Sequence, residues 1–266
     1  GDNVIALRVA GNFDDCQHLV KQALNDDALQ ARVPMSSANS ISLGRLLPQM
    51  SYYAFAALRH ARDCGESLNF VIPSGNLGNA MAAILARACG LPIGRIVLAT
   101  NANRVLPEFF SGGDYTPRAS VATLANAMDV GAPSNFERLR WLYPDAVELR
   151  AAFQVESVDD DEICRTIREG VDRYGEIFCP HTACAVHVLD HLRAGGTSGS
   201  WCIVATAHPA KFDQVVTPLI GDHHAHQAIE PPPALAALLA RSSSAEPLAA
   251  DYAAFAERLQ LMAGCT

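Results

Sequence analysis

A chain of 266 residues, half of them hydrophobic, is long enough for one large α/β domain or two small ones, and this excludes a disordered protein. Twenty-eight acidic residues against 20 basic ones leave a net charge of -8, and the basic set is 18 arginines with only Lys21 and Lys211, which excludes the clustered basic face of a nucleic-acid binder. No apolar run approaches the roughly 18 residues of a membrane helix, no charged-then-apolar leader opens the chain, and eight scattered cysteines without a C-x-x-C pair suit free thiols, so a cytoplasmic protein is expected.

The sequence enters an alternating apolar pattern at once, without a Met, and this predicts that residue 1 lies inside a longer protein. Residues 4 to 10 read as a strand. Asp14 or Asp15 then caps a helix whose apolar positions Cys16, Leu19, Val20, Ala23 and Leu24 recur at three and four. A long helix is expected from about Ile41 to Ala61, then a buried strand at Leu68 to Ile72 and another at Arg95 to Ala99. Helices follow at 136 to 143, at 159 to 173 and along "HTACAVHVLDHL", with a last buried strand from Trp201 to Ala205. Strands alternating with helices predict βαβ units and a mostly parallel twisted sheet with helices on both faces. "HHAHQAIEPPP" reads as a linker to a closing helix near Asp251 to Met262. The expected division is a part of a smaller βα domain at 1–65, a larger domain at 66–225, and a linker with a C-terminal helix at 226–266.

The stretch "FVIPSGNLGNAMAAILARACG", Phe70 to Gly90, carries the chemistry. A strand, a Gly-rich turn and a helix whose first amides lack partners make an anion site, because N–H groups and the helix dipole converge there. Gly75 and Gly78 permit close backbone approach, and Ser74, Asn76 and Asn79 can add side-chain donors. The glycines lack the following Lys-Ser/Thr of a Walker loop and the G-x-G-x-x-G spacing of a dinucleotide fingerprint, so a small phosphate monoester is the better fit. An ordinary Gly-capped βα turn is the competing reading of the motif taken alone.

"SANSISLGRLL", "PSGNLGN", "TNANRVLPEFF", "TLANAMDVGAPSNFER", "HTACAV" and "ATAHPAKF" occur in this order. Together they closely resemble the threonine synthase family, pyridoxal-phosphate enzymes of fold type II, from "NFDDCQHLVKQA" to about Phe212. The resemblance implies that Ser74, Gly75, Asn76, Leu77, Gly78 and Asn79 cradle the phosphate of pyridoxal 5'-phosphate, and that Thr206 hydrogen-bonds its pyridine nitrogen. The competing role for Thr206 is a cap on the following helix. Ser37, Asn39 and Ser40 are expected where a helix begins, as donors to the substrate's phosphate or carboxylate or as plain caps, and Arg45 one turn on is left unassigned. The implied reaction converts O-phosphohomoserine and water to threonine and phosphate. Enzymes of this fold hold the cofactor on a lysine, which in the family lies upstream of all these motifs. Neither Lys21 nor Lys211 matches it, so no catalytic residue is assigned in this chain, the missing upstream segment is its expected partner, and the 266 residues alone are expected to be inactive. Exposed apolar surface is expected where such a segment packs.

Three other readings compete. His181, His187 and His191 lie around one helix and His223, His224 and His226 cluster later, but the zincin pattern needs Glu where Val188 stands, so no metal is predicted. A non-catalytic, lysine-less phosphate-binding or interaction module is the second, and a serine or threonine dehydratase using the same cofactor is the third.

Overall fold

The computed structural model describes residues 4–221, 230–242 and 244–264. Strand β1 (Leu7–Val9) leads into helices α1 (Phe13–Asn25) and α2 (Asp27–Arg32), then α3 (Leu43–Leu46), a 3-10 turn (Leu47–Gln49) and α4 (Met50–Cys64). Next come β2 (Leu68–Pro73), α5 (Gly78–Ala88), β3 (Ile93–Thr100), α6 (Val105–Phe110), α7 (Phe136–Leu142), α8 (Ala146–Ala152) and β4 (Gln154–Ser157). The described remainder is α9 (Asp160–Tyr174), α10 (Pro180–Ala194), β5 (Trp201–Ile203), α11 (Asp213–Ile220), α12 (Pro233–Leu239), β6 (Glu246–Leu248) and α13 (Tyr252–Ala263). The predicted elements are present with shifted ends, while β4, β6 and the short helices α2, α6, α8, α11 and α12 were not foreseen. Three details differ for local reasons. Asn12, not Asp14 or Asp15, caps α1, in a reciprocal capping box with Asp15. The long helix expected from Ile41 begins only at Leu43, where the Ser42 hydroxyl accepts from the Gly44 amide at 3.2 Å, and it tightens into the 3-10 turn at Pro48, which has no N–H to continue the ladder. His223, His224 and His226 lie outside the described residues.

Contacts divide the chain into two compact units, Gly1–Ser37 with Pro232–Thr266 and Ala38–Pro231. This boundary differs from the expected one at residue 65. Residues 38–65 join the larger unit because Tyr53 and Ala57 of α4 are buried in its core, Tyr53 edge-on to Phe70 at 5.0 Å between centroids. In the smaller unit, β6 pairs in parallel with β1, Leu7 opposite Glu246 and Val9 opposite Leu248, so the C-terminal segment is a structural partner of the N-terminal one. The Tyr252 hydroxyl donates to Asp26 at 2.6 Å across the same unit.

The larger unit is built on a four-stranded sheet in the order β4-β3-β2-β5, with every pairing parallel. Strand residues alternate faces, and the two faces have separate cores. Phe70, Ile72, Ile96 and Leu98 pack with Tyr53 of α4, Met81 and Ile84 of α5 and Phe136 of α7. Val71, Val97 and Ala99 pack with Ile163 and Ile167 of α9, Ala183, Cys184 and Val188 of α10, and Val216 of α11. This is a doubly wound α/β architecture, and it brings the C-terminal ends of β2, β3, β4 and β5 to one edge of the sheet. Leu43, Leu47, Phe55 and Leu58, from α3 to α4, are each at least half exposed. Among the described residues no helix is long and apolar enough to cross a membrane.

Phe70 is fully buried between the sheet and Tyr53, so Phe70→Ala should cost about 3–5 kcal/mol, read as a fall in the urea midpoint of the larger unit.

Candidate functional site

β2 ends at Pro73 and the chain turns through Ser74–Leu77 into α5. Leu77 is the helix N-cap and holds φ at 60°, the one non-glycine residue with positive φ among those described. Such a conformation costs roughly 1–2 kcal/mol, and the complete burial of the Leu77 side chain in the core offsets it. The turn lies hard against its neighbours. A Cβ on Gly75 would sit 2.7 Å from the Met128 Cα, and one on Gly78 would sit 2.7 Å from the Ser40 Cβ. Only glycine lets the loop lie this close to both.

The amide side chains of the loop face the protein. Asn76 Nδ2 donates to the Ser40 hydroxyl at 2.8 Å, and its Oδ1 accepts from the Ser134 amide at 2.6 Å and the Ser134 hydroxyl at 2.9 Å. Asn79 Oδ1 accepts from the Tyr53 hydroxyl at 2.5 Å, and its Nδ2 donates to Gln49 at 3.0 Å and to the Tyr52 hydroxyl. The Ser74 hydroxyl donates to the Ile72 carbonyl at 3.3 Å. The side-chain donors that the sequence suggested for an anion therefore brace the loop instead. What remains for an anion is the set of backbone amides at the start of α5, with the positive end of the helix dipole.

A cavity of about 170 Å³ is lined by Pro73–Asn79, Ala127, Met128, His181 and Thr206. It joins the Ser74–Asn79 loop at the end of β2 to Thr206, just past the end of the adjacent parallel strand β5. Thr206 also borders two larger cavities, one of 530 Å³ with Arg45, Tyr52 and Asn79, and one of 590 Å³ with Cys179, Thr182 and His208. Thr206 is not the cap of the next turn, because the His208 side chain fills that role by accepting from the Ala210 amide at 3.2 Å. Of the other predicted donors, Ser40 is brought to the loop and Asn39 stands beside it, its Oδ1 accepting from the Ser40 hydroxyl at 3.2 Å. Ser37 belongs to the smaller unit.

Residues not singled out from sequence do much of the bracing. Asn135, fully buried, donates to the Asn76 carbonyl at 2.9 Å and to Ser40 at 3.2 Å, and Arg138 donates to the Ser40 carbonyl at 3.0 Å and to the Ile41 carbonyl. Asn101 donates to Asp129 at 2.7 Å and to Thr123 at 2.8 Å, holding the turn that carries Met128 under Gly75. The motif strings that contain them were the available signal; their partners, up to 98 positions away, were not.

His181 is 3% exposed. Its Nε2 accepts from the Ala127 amide at 3.0 Å, which places the proton on Nδ1, and that buried atom has no hydrogen-bond partner. Cys179, the N-cap of α10, lies with its Sγ 3.3 Å from the Thr182 hydroxyl and accepts from the Thr182 amide at 3.4 Å. Burial pushes the Cys179 thiol up, but the neighbouring His181 ring and the Thr182 hydroxyl and amide outweigh it and bring the value down from 9.0 to about 7. His187 and His191 instead face glutamates, Glu162 at 3.4 Å and Glu156 at 2.7 Å, and Glu156 raises His191 above the usual imidazole range. Among the described residues no group of three or more His, Cys, Asp or Glu is arranged to hold a metal ion.

This geometry fits pyridoxal phosphate. The backbone amides at the start of α5 suit a phosphate, and Thr206, lining the same cavity, carries a neutral hydroxyl of the kind that suits a pyridine nitrogen. The chain belongs to the pyridoxal-phosphate dependent enzyme family, whose model matches residues 1–207. Within that family its likeness is to threonine synthases, and the model described as "Threonine synthase, C-terminal" matches residues 182–258. Threonine synthase of Escherichia coli (strain K12) is 37% identical over 222 residues, 84% of this chain and 51% of that protein. That of Serratia marcescens is 39% identical over 221 residues, 83% and 51%. The crystal structure of Escherichia coli threonine synthase matches 100% of this chain and 60% of its own with a TM-score of 0.87 at 35% identity. A PLP-bound threonine synthase from Brucella melitensis gives a TM-score of 0.78 at 31% identity, over 98% of this chain and 60% of its own. The fold is that of the fold type II enzymes, and the chain spans about half the length of the curated relatives it matches.

Two outcomes follow from the site. Gly75→Ala should abolish uptake of pyridoxal phosphate, measured by equilibrium dialysis, because the new Cβ meets backbone rather than a flexible side chain. The wild-type minus Cys179→Ser difference spectrum should show thiolate absorption growing through pH about 7. Because the folded value lies below the ordinary one, the thiolate's stabilising contribution is complete above pH 9.0 and is lost as pH falls through about 7.

Proposed function

We propose that the protein converts O-phospho-L-homoserine and water to L-threonine and inorganic phosphate, using pyridoxal 5'-phosphate as a carbon–oxygen lyase acting on phosphate. The observation that carries this reading is the single cavity in which the Ser74–Asn79 loop and Thr206 face one another at the sheet's C-terminal edge. Its support in detail comes from the relatives, which are threonine synthases, and from the match of residues 182–258 to a threonine synthase region.

When bound, the cofactor supplies an electron sink for negative charge that develops on the substrate. The amides of Gly75–Asn79 and the dipole of α5 would hold the cofactor phosphate without a cation. The Thr206 hydroxyl would be a neutral partner for the ring nitrogen and would leave it unprotonated, drawing off less charge than a carboxylate partner. Asn39 and Ser40 are proposed for the substrate side, with Ser40 also bracing Asn76. In the net reaction the Cγ–O bond to phosphate breaks, Cβ gives up one hydrogen and takes the hydroxyl of water, and of the two protons so released one completes the Cγ methyl and the other leaves with phosphate. The larger unit acts as the cofactor-phosphate domain.

The amine that carries the cofactor and moves these protons is assigned to a lysine outside these 266 residues. Lys211 is exposed on the turn after His208, Lys21 lies on α1 in the smaller unit, and neither lines the cavity. The 266 residues by themselves are accordingly inactive in this reading, and the half-exposed Leu43, Leu47, Phe55 and Leu58 are surface that a further segment would cover. Free thiols at all seven described cysteines support a reducing, cytoplasmic setting.

The test uses the protein as encoded, with any chain that flanks these residues. It should release phosphate from O-phosphohomoserine and form threonine, and borohydride reduction of the holoenzyme should leave a pyridoxyl-lysine on a peptide other than those of Lys21 and Lys211. An adduct on Lys211 would overturn the assignment of the lysine. Deamination of serine or threonine without turnover of O-phosphohomoserine would replace the reading with a dehydratase.

A further inference from the structure

The first turn of α10 touches both ends of the cofactor cavity. At one end His181 Nε2 accepts from the Ala127 amide, next to the Met128 Cα that backs Gly75. At the other end the Thr182 hydroxyl accepts from the Thr206 amide at 3.4 Å. Thr182 is 6% exposed and Cys179 1%, so neither hydroxyl nor thiol has water as its principal partner. The Thr182 oxygen, having accepted from Thr206, still has a proton to place, and the Cys179 sulfur 3.3 Å away is the acceptor in reach. The sulfur is itself held by the Thr182 amide at the helix start. Cys179, Thr182 and Thr206 therefore form one hydrogen-bonded chain from the N-cap of α10 to the end of β5.

The consequence concerns direction. Thr206 follows β5 through a segment with no regular structure, and the Val204 amide, donating to the Val71 carbonyl at 3.1 Å, is the last ladder bond before it. Two residues beyond that bond, the Thr206 backbone is aimed by the Thr182 hydroxyl. Threonine is stiff at χ1, so fixing the backbone limits its hydroxyl to a few directions. We propose that Thr182 is a positioning residue for the cofactor ring, acting through the Thr206 amide, with the Cys179 sulfur setting the direction of the Thr182 hydroxyl. This rests on the reading of Thr206 as the ring-nitrogen partner.

The experiment compares Thr182→Val, Thr182→Ser and Thr206→Val in the holoenzyme. It measures the dissociation constant for pyridoxal phosphate, the absorption band of the bound cofactor and the melting temperature of the cofactor-free protein. Thr182→Val should bind pyridoxal phosphate about tenfold more weakly, the size of one lost hydrogen bond, and shift the band. Thr182→Ser should restore both, and the two Thr182 variants should melt alike without cofactor. A wild-type affinity and band in Thr182→Val, with both disturbed in Thr206→Val, overturns the proposal and leaves the Thr206 reading standing. A silent Thr206→Val overturns that reading and the proposal together. Should Thr182→Val fail to fold, Cys179→Ala and Cys179→Ser decide the matter. A band shifted in the alanine variant and restored in the serine variant supports the proposal, and identical bands in the two overturn it.

Discussion

Asn76 donates to Ser40, accepts from both the amide and the hydroxyl of Ser134, and offers its carbonyl to Asn135. Four bonds to two other segments, at Ser40 and at Ser134–Asn135, converge on one residue of a turn that has no regular structure of its own. The turn must hold its amides still to bind an anion, and the Leu77 backbone must stay at positive φ. A loop braced only by its flanking strand and helix would relax out of that conformation. The Asn76 knot is thus the constraint on which the site depends, and Gly75 and Gly78 are the positions where its closeness leaves no room for a side chain.

The electrostatics follow from the same arrangement. The cavity is lined by no lysine or arginine, so an anion placed there would be attracted by backbone dipoles that are already oriented. The acidic net charge of the chain is compatible with this, because binding by aligned amides does not need a basic surface.

The two faces of the sheet divide the work. The α4 and α5 side packs Tyr53, Phe70 and Met81 into one core and delivers the Ser74–Asn79 loop. The α9, α10 and α11 side packs Val71, Val97 and Cys184 into another and delivers His181 to that loop's cavity, with Cys179 and Thr182 lining the neighbouring cavity that Thr206 also borders. β2 lies between the two cores and β5 beside it, so the distance between loop and Thr206 is set by strand spacing rather than by flexible side chains.

The strand–turn–helix at Phe70–Ala88, the parallel sheet and the ordered motifs were legible in the sequence because each depends on neighbours within a few residues: apolar spacing, glycine, a helix start. By itself the sequence determined the strand–turn–helix at Phe70–Ala88 and which family the chain resembles. Tertiary structure alone decided that Asn76 and Asn79 brace the loop rather than present donors, that residues 38–65 join the larger unit, that β6 pairs with β1, and that Thr206 is tied to Thr182. Each of these turns on a partner well beyond the reach of local spacing, and contacts at such a distance are set by how helices and strands pack, not by residue type.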